Sequence, residues 1–357
     1  MGASKSRISP EHQALQYLHQ PEKLAAVRAD YPLHLCRSVG EAVARRVAES
    51  RRQFPWKFFR GDCHCHSQHS DGTGTVAEIA DMSKRAGLDF QFVTDHYGTT
   101  QADECRRLGL WVGQEPGTQH HDLLILGLRA PFQATVTQNF LADYAAAARR
   151  SALVCVAHPA GWWPSRWYDD AQKQILEELP SPFLMEICNG ANNIVTAFDP
   201  TDQAAVDLWD DLLLQGKVVH GLGNTDAHAP HGIGIVWNGV FAPRCDQPAI
   251  IRALRAGRSF VSEAPLVHIR LGRAQMGRRA TPRDRSQRLS VTATDSGGLA
   301  SVRVVADRRE IGFWTSRATT MARSLRVPRW VKRYVRVEVL SRDGRRAFSN
   351  PIYLTRA

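Results

Sequence analysis

Apolar positions along the chain fall into short dense runs and longer periodic stretches. LDFQFVT, DLLILGL, SALVCVAH, PFLMEICN and VVHGLGN are runs too short for helices and rich in strand formers. Between them, FLADYAAAARR, QAAVDLWDDLLLQGK and QPAIIRALRAG carry the spacing of amphipathic helices. Thr75 and Glu78 make a T-x-x-E capping box, and Gly87 stands where a helix ends, which predicts one more helix between them. Residues 98–112 show neither period and read as irregular. Strand, loop and helix thus alternate up to about residue 240, which predicts a parallel α/β barrel.

The two ends depart from this pattern. Residues 1–57 read as an N-terminal helical segment, with HQALQYLHQ, EKLAAVRADY and GEAVARRVAESRRQF as helices interrupted at Pro21 and Pro32. Residues 58–263 form the α/β region. In residues 264–357 the period changes to two: RLSVTATDSG, ASVRVVADRREIGFW, YVRVEVLSRDG and FSNPIYLT predict a small β-sandwich.

Composition alters this picture in one place. The formal charge is +11, but residues 264–357 hold 21 Lys and Arg against 6 Asp and Glu, a net of +15. Residues 1–263 hold the other 25 against 29, a net of −4. Such a tail can attract anions. Twenty of its 21 cations are arginine, and a solvated surface is the favoured reading over nucleic-acid binding. The absence of a long apolar run argues against a membrane span. Seven cysteines without a C-x-x-C pair, and an N-terminus without an apolar signal core, point to reduced thiols and a cytoplasmic setting.

Candidate chemistry concentrates in Arg60 to His96. RGDCHCHSQHSDG and FQFVTDH carry His64, His66, His69, Asp71, Asp95 and His96. On a strand, His64 and His66 share one face while Cys63 and Cys65 turn away as small buried apolar groups. Imidazoles beside carboxylates suit a divalent metal. Further candidates follow strands: Glu115 at a Pro-Gly turn, His158 after SALVCVA, Glu186 and Asn189 in MEICN, and Asn224, Asp226, His228 and His231 in GNTDAHAPH. Trp162, Trp163 and Trp167 come next to His158 and either wall a pocket or cover a rim.

His64-Cys65-His66, Ser70-Asp71-Gly72 and Thr94-Asp95-His96 at this spacing resemble the PHP (polymerase and histidinol phosphatase) superfamily. Glu115 matches its third motif, His158 a later ligand, and Asp226 with His228 its final D-x-H. The resemblance implies a distorted (β/α)7 barrel holding two or three divalent ions, Zn, Mn or Fe. His64, His66, Glu115 and Asp226 would hold one. Glu115 would bridge to a second with His158 and His121, with His120 as the fallback. Asp71, His96 and His228 would hold a third. Glu186, Asn189, Asn224 and Arg258 are candidates to support ligands or substrate, Arg258 as an anion contact. The later architecture resembles the carbaryl-hydrolase-like group within that superfamily.

Three functions are compatible with these residues. The favoured one is a hydrolase using a metal-activated water on a phosphoester, with a small anionic substrate. The alternatives are hydrolysis of a carbamate, ester or amide, and a non-enzymatic, metal-stabilised anion- or nucleic-acid-binding protein.

Overall fold

The computed structural model describes residues 33–96, 98–118, 120–128, 132, 139–163, 165–190 and 198–354. The helices expected in HQALQYLHQ and EKLAAVRADY lie outside them. The chain enters through α1 (Leu33–Arg51) and β1 (Phe59–Asp62). α1 begins at Leu33, earlier than the expected GEAVARRVAESRRQF.

α2 (Val76–Arg85) is the helix its punctuation predicts. The Thr75 side chain accepts from the Glu78 amide, the Glu78 carboxylate answers the Thr75 amide, and Gly87 takes φ 65° beyond its end. It buries Val76, Ile79 and Met82 and leads to β2 (Phe90–Val93). The stretch expected to be irregular instead contains α3 (Ala102–Leu108) and the start of β3 (Trp111–Gln114). α3 buries only Cys105 among its residues, so it has no apolar stripe to announce it.

β4 (Leu123–Leu126), α4 (Phe140–Arg150), β5 (Leu153–Val156) and the two-stranded ribbon of β6 (Gly161–Trp162) and β7 (Arg166–Trp167) come next. Then follow α5 (Asp170–Gln174), β8 (Phe183–Asn189), α6 (Pro200–Leu214), β9 (Val219–Asn224), β10 (Trp237–Val240), α7 (Gln247–Arg255) and β11 (Ser259–Ser262). The neighbours run β10-β1-β2-β3-β4-β5-β8-β9. The pairs β1·β2, β2·β3, β5·β8 and β8·β9 are parallel. β4 runs antiparallel to β3 and β5, and β10 antiparallel to β1, so the sheet is mixed rather than all parallel as expected. The cause is the short β3–β4 connection, which reverses direction without a crossover helix.

Beyond their ladders the chain ends of β1 and β9 meet. Cys65 bridges Ala227 in parallel, with the His66 amide on the Ala227 carbonyl at 3.0 Å and the Asp226 amide on the His64 carbonyl at 2.9 Å. Between β9 and β10, Asn238 spans the gap: its side chain bonds both the amide (3.1 Å) and carbonyl (2.8 Å) of Gly223.

The basic tail contributes β12 (Leu266–Leu271), β13 (Ala274–Gln275), β14 (Arg279–Ala280), α8 (Pro282–Arg285), β15 (Arg288–Thr294), β16 (Leu299–Ala306), β17 (Arg309–Thr315), β18 (Thr320–Arg326), β19 (Tyr334–Ser341), β20 (Arg346–Ser349) and β21 (Ile352–Leu354). One antiparallel sheet is β13-β12-β15-β18. The others join the main sheet, because β11 pairs with β20. Both sheets share one apolar cluster including Ile269, Val291, Val302, Val337 and Ile352.

The tail is also tied to the α/β region by polar bonds. Arg336 holds Asp210 of α6 through two 2.7 Å contacts, and the Asn350 side chain bonds both the amide and the carbonyl of buried Gly221. No helix among the described residues is long and apolar enough to cross a membrane. Cys63, Cys65, Cys105, Cys155, Cys188 and Cys245 are free thiols.

Candidate metal centre

The strand that carries His64 and His66 has just left the β1 ladder, and both side chains point the same way. Cys63 and Cys65, on the opposite face, are fully buried in separate apolar clusters, as expected. His64 Nε2 lies 3.1 Å from His66 Nε2, 3.0 Å from Glu115 Oε2 and 3.0 Å from Asp226 Oδ1. His66 Nε2 lies 3.1 Å from Glu115 Oε2 and 3.0 Å from Asp226 Oδ1. Four ligand atoms about 2.0–2.2 Å from one ion would sit roughly this far apart. All four side chains are buried.

Two further groups flank the first. Asp71 lies 3.4 Å from His96 Nε2, 3.3 Å from His228 Nε2 and 3.6 Å from His66 Nδ1. On the other side, His158 Nε2 lies 3.0 Å from Glu115 Oε1 and 3.7 Å from Asp122 Oδ2. The three donor sets are therefore His64, His66, Glu115 and Asp226; His66, Asp71, His96 and His228; and Glu115, Asp122 and His158. Glu115 gives one oxygen to each of two sets, the geometry of a bridging carboxylate. It projects just past β3, where its amide donates to the Asp95 carbonyl.

Surrounding bonds set which nitrogens face inward. The Glu186 carboxylate takes the Nδ1 hydrogen of His64 at 2.9 Å, which leaves Nε2 with its lone pair. The same carboxylate accepts from the His158 amide (2.8 Å), the Asn189 side chain (2.9 Å) and the Asn224 side chain (2.8 Å). Asn189 also donates to Asp226 Oδ2 at 3.2 Å. His96 and His228 each give their Nδ1 hydrogen to a backbone carbonyl, Glu115 at 3.0 Å and Asp226 at 2.9 Å. Buried Nδ1 atoms of His66, His121 and His158 have no hydrogen-bond partner among the described residues. Spare imidazole lone pairs and converging carboxylates fit divalent cations.

Backbone strain marks the same place. Only four non-glycine residues among those described have positive φ: His158 (25°), Asp226 (48°), Asp307 and Arg308. The last two form a hairpin turn, where such angles are ordinary. The first two are candidate ligands held in a costly conformation by the strands on either side.

The ionisation pattern follows from close packing. Burial opposes charge on His64, yet Asp226, Glu115 and Glu186 raise its pKa well above the usual value. Burial alone would raise Glu115, but His64 and the bonds from His158, His64 and His66 hold it well below the carboxylate range. His158 is pushed up to about 9 against the effect of burial, chiefly by its Glu115 bond. Cations and protons must therefore compete for these nitrogens.

Four expected residues stand elsewhere. His121 turns its Nε2 to the Gln172 carbonyl at 2.7 Å and packs against Phe140 and Tyr168, while the next residue, Asp122, faces His158. A one-residue uncertainty in the loop before β4 exchanges the two, and the carboxylate is the less conspicuous letter beside His120-His121. Arg258 precedes Ser259, whose partner Val240 pairs in turn with Phe59 at the start of β1. The ligands follow the end of β1, so Arg258 is at the opposite edge and cannot contact substrate there. His69 bonds Thr100 at 2.9 Å, outside the donor sets, and Asp95 fixes the turn by accepting from Ser67 and Ser70.

The donors open onto a cavity of 180 Å³ lined by Asp71, His96, Glu115, Asp122, His158, Trp162, Asp226 and His228. Trp162 meets His158 edge to face at 5.0 Å between centroids, whereas Trp163 packs on Trp167 at 5.6 Å. One of the three tryptophans walls the pocket and the other two lie outside it.

The motifs and their convergence decide the comparison. The chain resembles the PHP superfamily of metal-dependent hydrolases. No protein-family profile and no curated protein sequence matches it. Among solved structures it is similar to a two-domain protein from Bacteroides vulgatus that contains a predicted PHP-like metal-dependent phosphoesterase, at 16% identity and TM-score 0.45, over 84% of this chain and 95% of that one. A predicted metal-dependent phosphoesterase from Bifidobacterium adolescentis is similar at 15% identity and TM-score 0.33, over 48% of this chain and 88% of that one. An amidohydrolase from Chromobacterium violaceum, with bound sulfate and no metal, stands at 14% identity and TM-score 0.33, with the same coverages of 48% and 88%. The PHP-like reading of this chain is carried by its own side chains.

Proposed function

We propose that the protein is a PHP-type metal-dependent hydrolase acting on a phosphoester. The observation that carries it is Glu115, whose two carboxylate oxygens face two donor sets in one cavity. His64, His66, Glu115 and Asp226 would hold one divalent ion, Glu115, Asp122 and His158 a second, and Asp71, His96 and His228 a third. Zn, Mn and Fe suit this mixture of imidazole and carboxylate. Ions so held lower the pKa of water and neutralise charge that develops on an attacked phosphoryl group.

The protein's own contribution is placement. Glu186 locks the His64 tautomer and, with Asn189, orients Asp226. Trp162 closes one wall against water. The residues lining the cavity include four acids and no lysine or arginine. An anionic substrate therefore depends on bound cations to enter, and a group of two or three matches the charge of a phosphoryl better than that of a carbamate carbonyl. The fold that goes with this reading is the distorted seven-stranded barrel, with β1-β2-β3-β4-β5-β8-β9 joined end to end at the Cys65–Ala227 bridge. The tail is then a small β-sandwich accessory, residues 264–357, beside the residues 58–263 that hold the site.

The test is to purify the chain, count metals, strip them by chelation, and assay phosphomonoesters, phosphodiesters, aryl carbamates and aryl esters with Mn or Zn restored. Metal-dependent turnover of phosphoesters is expected. Full activity after stripping, or turnover of carbamates alone, would overturn the proposal.

A further inference from the structure

Rotating outward from the cavity, the β6–β7 ribbon places one arginine beside the site. Its register pairs Trp162 with Arg166 and Gly161 with Trp167. Directly opposed residues of a ribbon share a face. Trp162 lines the metal-facing cavity, so Arg166 stands on that same side. Trp163 and Trp167, on the other face, pack against each other. Gly161 fixes the arrangement: it takes φ 95°, and a Cβ there would meet the Arg166 carbonyl at 2.3 Å.

The Arg166 guanidinium is laid over two rings, 5.4 Å from the Trp162 centroid and 5.2 Å from that of Tyr168. Ring contacts hold it from one side, and its N–H fork makes no hydrogen bond among the described residues. Among the described residues no carboxylate pairs with it. The arginines of the tail all lie on other elements; this one lies one indole away from His158, whose ring is 5.0 Å from that of Trp162.

We infer that Arg166 is a specificity residue that receives a second anionic group of the substrate, a carboxylate or a phosphate on the leaving-group side. This deepens the phosphoester reading and rests on it. A substrate held at its phosphoryl end by the donor cluster would extend past the Trp162 ring. A charge at its far end then meets a planar fork suited to two parallel hydrogen bonds with a carboxylate or phosphate. The indole and the Tyr168 ring position the guanidinium and reduce the freedom it would lose on binding.

The test measures binding, not turnover. Metal-loaded protein is titrated calorimetrically with 4-carboxyphenylphosphonate and with 4-carbamoylphenylphosphonate, in which an uncharged carboxamide replaces the carboxylate. The carboxylated probe is expected to bind about tenfold more tightly, the range of one charge-assisted contact near a surface. In Arg166→Gln that ratio should collapse to about one, and in Arg166→Lys part of it should return. Metal content per chain in each variant verifies that the site is still built. Equal affinities for the two probes in the unaltered protein would overturn the role of Arg166 while leaving the phosphoester reading intact. A ratio that survives Arg166→Gln would overturn it too. Failure of both phosphonates to bind would defeat the phosphoester reading, and this inference with it.

Discussion

At the scale of single residues, the site depends on which nitrogen each histidine presents. Glu186 decides this for His64, and three other groups lean on the same carboxylate. Replacing it with Gln keeps the shape but weakens the acceptor. Metal affinity is expected to fall by about 10–100-fold, the usual effect of losing a partner behind a ligand. Competition against a chelator of known affinity measures this, and an unchanged affinity would show that the His64 tautomer is set by something else. Glu115→Gln acts differently, because one side chain serves two donor sets. Loss of more than one metal equivalent per chain is expected by elemental analysis. An unchanged count would mean that another residue bridges.

At the scale of elements, α2 ties the strand bearing His64 and His66 to the one bearing Asp95 and His96. Thr75→Ala removes its reciprocal cap and should destabilise the chain by about 1 kcal/mol in chemical denaturation. A change near zero would show that packing of Val76, Ile79 and Met82 alone holds the helix. This element was legible in the sequence because both its ends are spelled out by particular residues. His96, His158, Asp226 and His228 were legible for a related reason: each follows a strand that is visible as an apolar run, whereas His64 and His66 follow the short FRGD strand and were legible as an H-x-H pair. What escaped was set by geometry without a letter pattern. α3 buries a single cysteine. β4 reverses direction in a turn whose length no periodicity reports, and that turn also decides between His121 and Asp122. Arg166 could be found only after the ribbon's register was known.

At the scale of the whole molecule, tail and α/β region share hydrogen bonds and an apolar cluster. The basic tail is proposed as an accessory that carries no donor set, yet removing residues 264–357 would strip β11 of β20 and leave Asp210 without Arg336. A chain ending at residue 263 is expected to lose cooperative unfolding, which calorimetry would detect; a sharp transition in it would establish independent folding. Acid sensitivity is a second property of the whole. Burial lowers the pKa of His220 and of His268 to about 4, below the ordinary 6.5. The unfolded chain therefore takes up protons first, so stability is complete above about pH 6.5 and declines as pH falls toward 4. His220→Gln with His268→Gln should flatten that decline in denaturation curves recorded between these limits. An identical slope would mean that other groups govern it.

The button between His64 and Asp226 has a consequence for how the protein is made. The two backbone bonds there join residues about 160 positions apart along the chain, and the first donor set takes members from both sides of the join. A nascent chain that has emerged only as far as His158 owns the histidine pair but lacks the aspartate, the strand that presents it and the seam that holds them together. Contacts so distant in sequence form late, after their loop-closure entropy has been met. On the proposed metal-centre reading, ion capture would be a finishing event of biosynthesis, and in refolding from denaturant, added Zn or Mn should accelerate none of the early phases and should lock only the last.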